Sequence, residues 1–362
     1  MKDQSNLYWI DVLRGIAISM VAATHCGILF ESIYIRNITV YGQLGVQLFF
    51  FVSAITICLS FDNRKEKNKI LNFYIRRIFR IAPLYYIGIF VYLLQNSISI
   101  EFTKNFNFDF EISKLYNLKN ILANITFIHG FYPPANNTIV PGGWSIGTEM
   151  AFYLLFPLLW YMQKKMKWLL FISSTFLICI MFTFVLINYL GISVNNNEFY
   201  FFNIINQLNV FCIGIVYYII NIKYKYTYKL SLFIFIIFTI ICILTWKLHL
   251  QYSFYYVPIF CAISYWGLVD LVRNKKIYLM KIFSEIGKVS FSIYIFHFII
   301  IHIFSILFFK NLKINTIYES FIIFIFTYIL ILYISYTIGQ ISNKFIEKPF
   351  INFGKKLISK IE

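Results

Sequence analysis

The sequence predicts an all-α polytopic integral membrane protein: a bundle of about ten transmembrane helices with both termini cytoplasmic. Three observations predict it. Of the 362 residues, 60% are hydrophobic and 13% charged, with a mean hydropathy of +0.72, which is more apolar surface than a soluble chain of this length can hide. The apolar residues fall into runs long enough to span a bilayer. The net charge of +17 collects in alternate connections between those runs, which is how loop charge sets orientation.

The predicted spans are 8–30, 41–60, 79–98, 144–162, 168–190, 199–221, 229–247, 252–272, 283–309 and 317–340. The first, WIDVLRGIAISMVAATHCGILF, contains Asp11 and Arg14. It lacks a basic region followed by a clean apolar core, so it reads as a retained helix rather than a cleaved signal. The third begins within RRIFRIAP. The fourth opens from Pro141-Gly142-Gly143, a turn signal. The ninth exceeds the bilayer thickness, so it tilts or begins as an interfacial segment. After the tenth come EKPF and a basic tail at 351–362, leaving 1–350 as one membrane domain.

Orientation follows from the connections. Arg64, Lys65, Lys67, Lys69, Arg76, Arg77 and Arg80 share one segment. Lys164, Lys165 and Lys167, then Lys223, Lys225 and Lys229, then Arg273, Lys275, Lys276 and Lys281 recur on the same side. The opposite connections are poor in Lys and Arg, including the long loop 99–143 with its spread Lys104, Lys114 and Lys119. A loop of that length is functional or disordered. The basic charge is therefore topological and does not point to nucleic acid. The six cysteines are scattered through apolar runs with no CxxC or metal-type spacing, so they read as small buried residues.

Arg14 and His25 carry the strongest functional signal. A charged side chain inside a membrane helix is costly and usually functional. Their eleven-residue separation is three turns plus roughly 20° at 3.6 residues per turn, about 16 Å along the axis. One helix face thus carries a fixed cation and a titratable imidazole. Imidazole suits a general base or a transient acyl carrier; the bland alternative is a helix–helix hydrogen bond. For Arg14 the alternatives are an anion contact or an ion pair with Asp11 three residues earlier.

Arg77 and Arg80 suit phosphate recognition, or simple anchoring on the positive side. Glu149 lies where a Gly-rich turn enters an apolar helix, at a depth similar to His25, so a His–Glu pair is allowed. The bland reading is helix-dipole stabilisation. Trp144 suits sugar stacking or the interface. His297 and His302 are five residues apart and off a shared face, so no metal site is expected. His129 and His249 carry little individual signal.

In order along the chain, Arg14-Gly15 with His25, GVQLFFFVSA at 45–54, the Arg77/Arg80 pair before Ala82-Pro83, GGWSIGTEMAFYLLFP at 142–157, SFSIYIFH at 290–297 and EKPF at 347–350 resemble the motifs of the acyltransferase family 3 integral membrane acyltransferases. Most of these are bacterial O-acetyltransferases of surface glycans. Gln47 stands where family members often have Asp, and Ala54 where they often have Gly. Many relatives also carry an eleventh span and a fused extracytoplasmic esterase-like domain; with its short basic tail at 351–362 this chain is expected to be a stand-alone form.

The resemblance implies a multi-pass enzyme of the bacterial cytoplasmic membrane, embedded among membrane lipids. That enzyme would move an acetyl group from cytoplasmic acetyl-CoA to a hydroxyl of a surface polysaccharide or O-antigen-type glycan, which is sometimes lipid-linked. Acetyl-CoA is then the donor substrate and no cofactor is held. The resemblance makes His25 and Glu149 catalytic and places Arg14, Arg77 and Arg80 on acyl-CoA. Asp11, Trp144, Ser145, Tyr294 and His297 remain as acceptor or structural residues. The competing readings are a transporter or flippase of a lipid-linked glycan, for which buried charges are equally expected, and transfer of succinyl or another acyl group.

Overall fold

The computed structural model describes residues 8–103, 116–190, 199–223, 227–248, 253–274, 278–309, 312, 314 and 316–362. The expectations for His249, Lys104, Lys114, Lys225, Lys275, Lys276 and the connection 191–198 lie outside the described residues. Among the described residues every regular element is helical and there is no strand. The helices are α1 (Tyr8–Gly27), α2 (Ile33–Thr39), α3 (Gly45–Asp62), α4 (Lys69–Thr103), α5 (Leu118–Ile125), α6 (Gly143–Lys165), α7 (Trp168–Leu190), α8 (Phe199–Phe202), α9 (Ile204–Lys223), α10 (Tyr228–Lys247), α11 (Ser253–Asn274), α12 (Tyr278–Lys288), α13 (Ser290–Leu307), α14 (Ile317–Ser342) and α15 (Lys348–Ile361). A π-helical turn, Asn343–Glu347, joins the last two.

Nine helical stretches among the described residues are long and apolar enough to cross a membrane. The difference from ten is α6. Its 23 residues span roughly 35 Å at 1.5 Å per residue, but Ser145, Thr148 and Glu149 make its first turns polar. The ninth predicted span divides at Val289 into the short α12 and the apolar α13.

The contacts divide the chain into two compact units, residues 1–57 with 217–345 and residues 58–216 with 346–362. In the first unit α1 runs against α12 at glycines. A Cβ at Gly15 would overlap the backbone of Phe283, and one at Gly287 the backbone of Asp11. Small residues at such a crossing let two membrane helices pack main chain against main chain. Phe30, Ile300, Phe304 and Ile331 form an apolar cluster joining the end of α1 to α13 and α14. Asp270 on α11 is buried but satisfied, accepting from Tyr217 Oη at 2.7 Å and Asn221 Nδ2 at 3.0 Å.

In the second unit α4 starts at Lys69, ten residues before the predicted span, so the arginines ride on helix rather than loop. Two carboxylates make that start stable. Glu66 takes the Arg76 guanidinium through two bonds of 2.9 Å. Glu362 accepts from the backbone N–H groups of Lys67 and Asn68 at 3.0 Å each and from Asn72 Nδ2 at 2.6 Å, as a cap on the positive end of a helix should. Those bonds hold the Glu362 carboxyl below its usual range. The basic α15 lies along α4, with Phe353 and Phe79 rings 5.3 Å apart.

Candidate active site

The first unit holds Asp11, Arg14, His25, Tyr294 and His297. Arg14 and Asp11 approach to 4.0 Å, with side chains 20% and 28% exposed. That is the outer limit of an ion pair between residues one turn apart on α1. His25, three turns along α1, is half-buried. Its ring centre lies 5.4 Å from that of His297, tilted by 48°, and 4.2 Å from Phe298.

His297 is fully buried. Its Nδ1 meets the backbone carbonyls of Tyr294 at 2.9 Å and Ile293 at 3.1 Å. Carbonyls only accept, so Nδ1 carries the hydrogen. Its Nε2 is buried with no hydrogen-bond partner. Tyr294 packs on Phe49 at 6.2 Å and on His297 at 5.9 Å. Gln47 is fully buried on α3.

The second unit holds Arg77, Arg80, Trp144, Ser145 and Glu149. Its geometry starts at Gly142, whose φ of 75° is a left-handed conformation that glycine adopts without strain. That turn launches α6. His129 sits fully buried beneath the first turn, its Nε2–H donating to Gly143 O at 2.9 Å, with Tyr85 Oη 3.3 Å away. Tyr85 donates to Asn124 Oδ1 at 2.7 Å. Burial pushes the His129 imidazole below its ordinary range, partly offset by the Gly143 carbonyl.

Above this base, Ser145 Oγ donates to Gly142 O at 3.0 Å and Thr148 Oγ1 to Phe202 O at 3.0 Å. Trp144 is buried and stacked on Phe202, with centroids 4.4 Å apart and 16° between planes, so one indole face is already covered. Glu149 accepts a hydrogen bond from Tyr153 Oη. The Arg77 guanidinium lies 5.6 Å from the Tyr153 ring centre and 5.7 Å from that of Phe73, within reach of a cation–π attraction. Its Nε is buried without a hydrogen-bond partner. Arg76, committed to Glu66, is not part of this group. Arg80 follows Arg77 by three residues and is partly exposed.

Residues 7–339 match the acyltransferase domain of acyltransferase family 3. The chain belongs to that family. Its apolar helices, nine of them among the described residues long and apolar enough to cross a membrane, make it a multi-pass membrane protein. It is 28% identical over 166 residues to the peptidoglycan O-acetyltransferase OatA of Listeria monocytogenes, a stretch covering 44% of this chain and 24% of that protein. It is also 28% identical over 130 residues to the acyltransferase MdmB of Streptomyces mycarofaciens, covering 34% of this chain and 30% of that one. The matched stretches thus span less than a third of either relative. No solved structure matches the chain.

Three participants escaped the reading of the sequence. Tyr153 follows Glu149 by four residues, the spacing that puts two side chains on one helix face, so its signal was present. Phe298 packs against both histidines and has no signal beyond its place beside His297. His129 showed no pattern at all: only folding of the loop brings it under Gly143.

Proposed function

We propose that this acyltransferase moves an acetyl group from cytoplasmic acetyl-CoA to a hydroxyl of a cell-surface glycan, in the cytoplasmic membrane of a bacterium. The observation that carries the reading is the face of α1, where Arg14 and His25 lie three turns apart. His25 takes the proton of the acceptor hydroxyl, or first receives the acyl group. Arg14 guides the anionic donor toward it. The name of the Listeria relative, a peptidoglycan O-acetyltransferase, supports a glycan acceptor.

Arg77 and Arg80 take the phosphates of coenzyme A. The buried, unpartnered Nε–H of Arg77 supports this, because a buried donor without an acceptor is costly and a phosphate oxygen would relieve it. Glu149 serves the reaction from its bond to Tyr153, in the neighbourhood of the Arg77 charge.

The test is proton NMR of purified surface glycan before and after mild alkali, from cells carrying the wild-type chain or His25→Ala at matched membrane levels. An alkali-labile acetyl signal with the wild type and none with the variant is expected. An equal signal from both would remove His25 from the chemistry. No signal from the wild type, in a host whose glycan accepts acetyl groups from a control enzyme, would overturn the acceptor class.

A further inference from the structure

A buried imidazole nitrogen with nothing bonded to it is rare, because desolvating an acceptor without giving it a partner is costly. His297 Nε2 is such an atom. The other ring nitrogen explains its role. Nδ1 is held by the Tyr294 and Ile293 carbonyls, which fixes the hydrogen there and leaves neutral Nε2 as an obligate acceptor. What faces this ring is the ring of His25, 5.4 Å away between centres. Two imidazoles joined by one N–H···N bond of about 2.9 Å stand roughly 5.2 Å apart. The separation of the ring centres is close to that of a bonded pair, and rotation of the half-buried His25 side chain would bring one of its nitrogens to Nε2. Phe298 packs 4.2 Å from each ring centre and keeps the neighbourhood apolar.

We propose that His297 is the positioning residue of His25: its Nε2 accepts the N–H of one His25 ring nitrogen, so that the other nitrogen is the one presented to the reaction. This inference rests on the reading of His25 as the reacting base. In the transfer, the free His25 nitrogen takes the acceptor hydroxyl's proton as the oxygen attacks the thioester carbonyl. The carbon–sulfur bond then breaks, and the coenzyme A thiolate leaves with that proton, returned by the imidazolium. The N–H donated to His297 stays in place throughout and steadies the positive ring. A carboxylate does the same for the histidine of a serine hydrolase by fixing its tautomer; here a second imidazole, oriented by backbone carbonyls, fills that place.

Two substitutions separate orientation from packing. His297→Asn keeps a donor where Nδ1 reaches the Tyr294 carbonyl and removes the Nε2 acceptor. His297→Gln restores an acceptor near Nε2. The expected result is a kcat about 100-fold lower in His297→Asn with KM for acyl-CoA unchanged, and partial recovery in His297→Gln. The second readout needs no turnover. In protein labelled with ¹⁵N-histidine, the His25 ring nitrogens, assigned by their loss in His25→Ala, should show one dominant tautomer in the wild type and a mixture in His297→Asn. An unchanged His25 tautomer in His297→Asn overturns the inference. So does wild-type kcat, or an equal loss in Asn and Gln variants. If no acceptor glycan is ever acetylated but the tautomer shift is seen, the acceptor reading fails and the histidine pairing stands.

Discussion

Arg76, Arg77 and Arg80 stand within five residues of one another, yet their surroundings give them different work. Arg76 is held by both oxygens of Glu66, a forked geometry that leaves it little capacity for another anion. Arg77 lies over two aromatic rings with its Nε unpartnered. Exchanging Arg77 and Arg80 together for Ala should raise the KM for acyl-CoA about tenfold or more, since hydrogen bonds to charged groups contribute about 1.5–3 kcal/mol. Arg76→Ala should instead lower thermal stability and leave KM near wild type. Steady-state kinetics on detergent-solubilised enzyme would decide, and equal KM effects at the three positions would refute the division. The RxxR spacing was legible in the sequence; the assignment of Arg76 to Glu66 was not, because nine intervening residues, a loop among them, had to fold first.

At the scale of elements, one contact within each unit holds its functional residues in place. The first is the crossing of α1 and α12. Gly15 and Gly287 each face opposing backbone, so Gly15→Val or Gly287→Val should force the helices apart. Overpacking of this kind costs about 1–3 kcal/mol. The expected outcome is a lower melting temperature and a smaller monodisperse fraction by fluorescence-detected size exclusion, with activity falling because α1 carries Arg14 and His25. An unchanged melting temperature would show that the crossing is loose. The Arg14-Gly15 motif thus joins two demands, a charge and a close approach, and only the charge could be read from the sequence.

The second contact is His129 under α6. Its folded imidazole lies below the ordinary value of 6.5 because of burial. Above that pH the ring is neutral both folded and unfolded, and its contribution to stability is full. As pH falls through the unfolded value, the unfolded loop takes a proton that the buried site resists. Stability is therefore lost on acidification, until the folded ring also titrates. Melting temperatures between pH 8 and pH 5 should fall for the wild type and fall less for His129→Gln. Parallel curves would show that His129 does not supply the dependence.

Across the whole molecule the parity of crossings decides orientation. Alternating loop charge calls for ten crossings and both termini on the Lys- and Arg-rich side, whereas nine would put the termini on opposite faces. The nine apolar stretches and the 23-residue α6 differ by that one helix. Terminal fusions to reporters active on only one side of the membrane should place both ends in the cytoplasm. Opposite placement would mean that α6 does not cross.

By itself the sequence determined the helical membrane class, the family and most of the spans, because hydrophobic runs and loop charge are local properties that a bilayer reads directly. It also set Arg14 and His25 on one face, since helical periodicity needs no partner. Only the tertiary structure decided that α4 begins at Lys69, capped by Glu362 from the far end of the chain. The same is true of Trp144 against Phe202, and of His297 with its free nitrogen beside His25. These facts depend on main-chain carbonyls and side chains brought together across long sequence separations, and no local pattern encodes which groups will meet when helices pack.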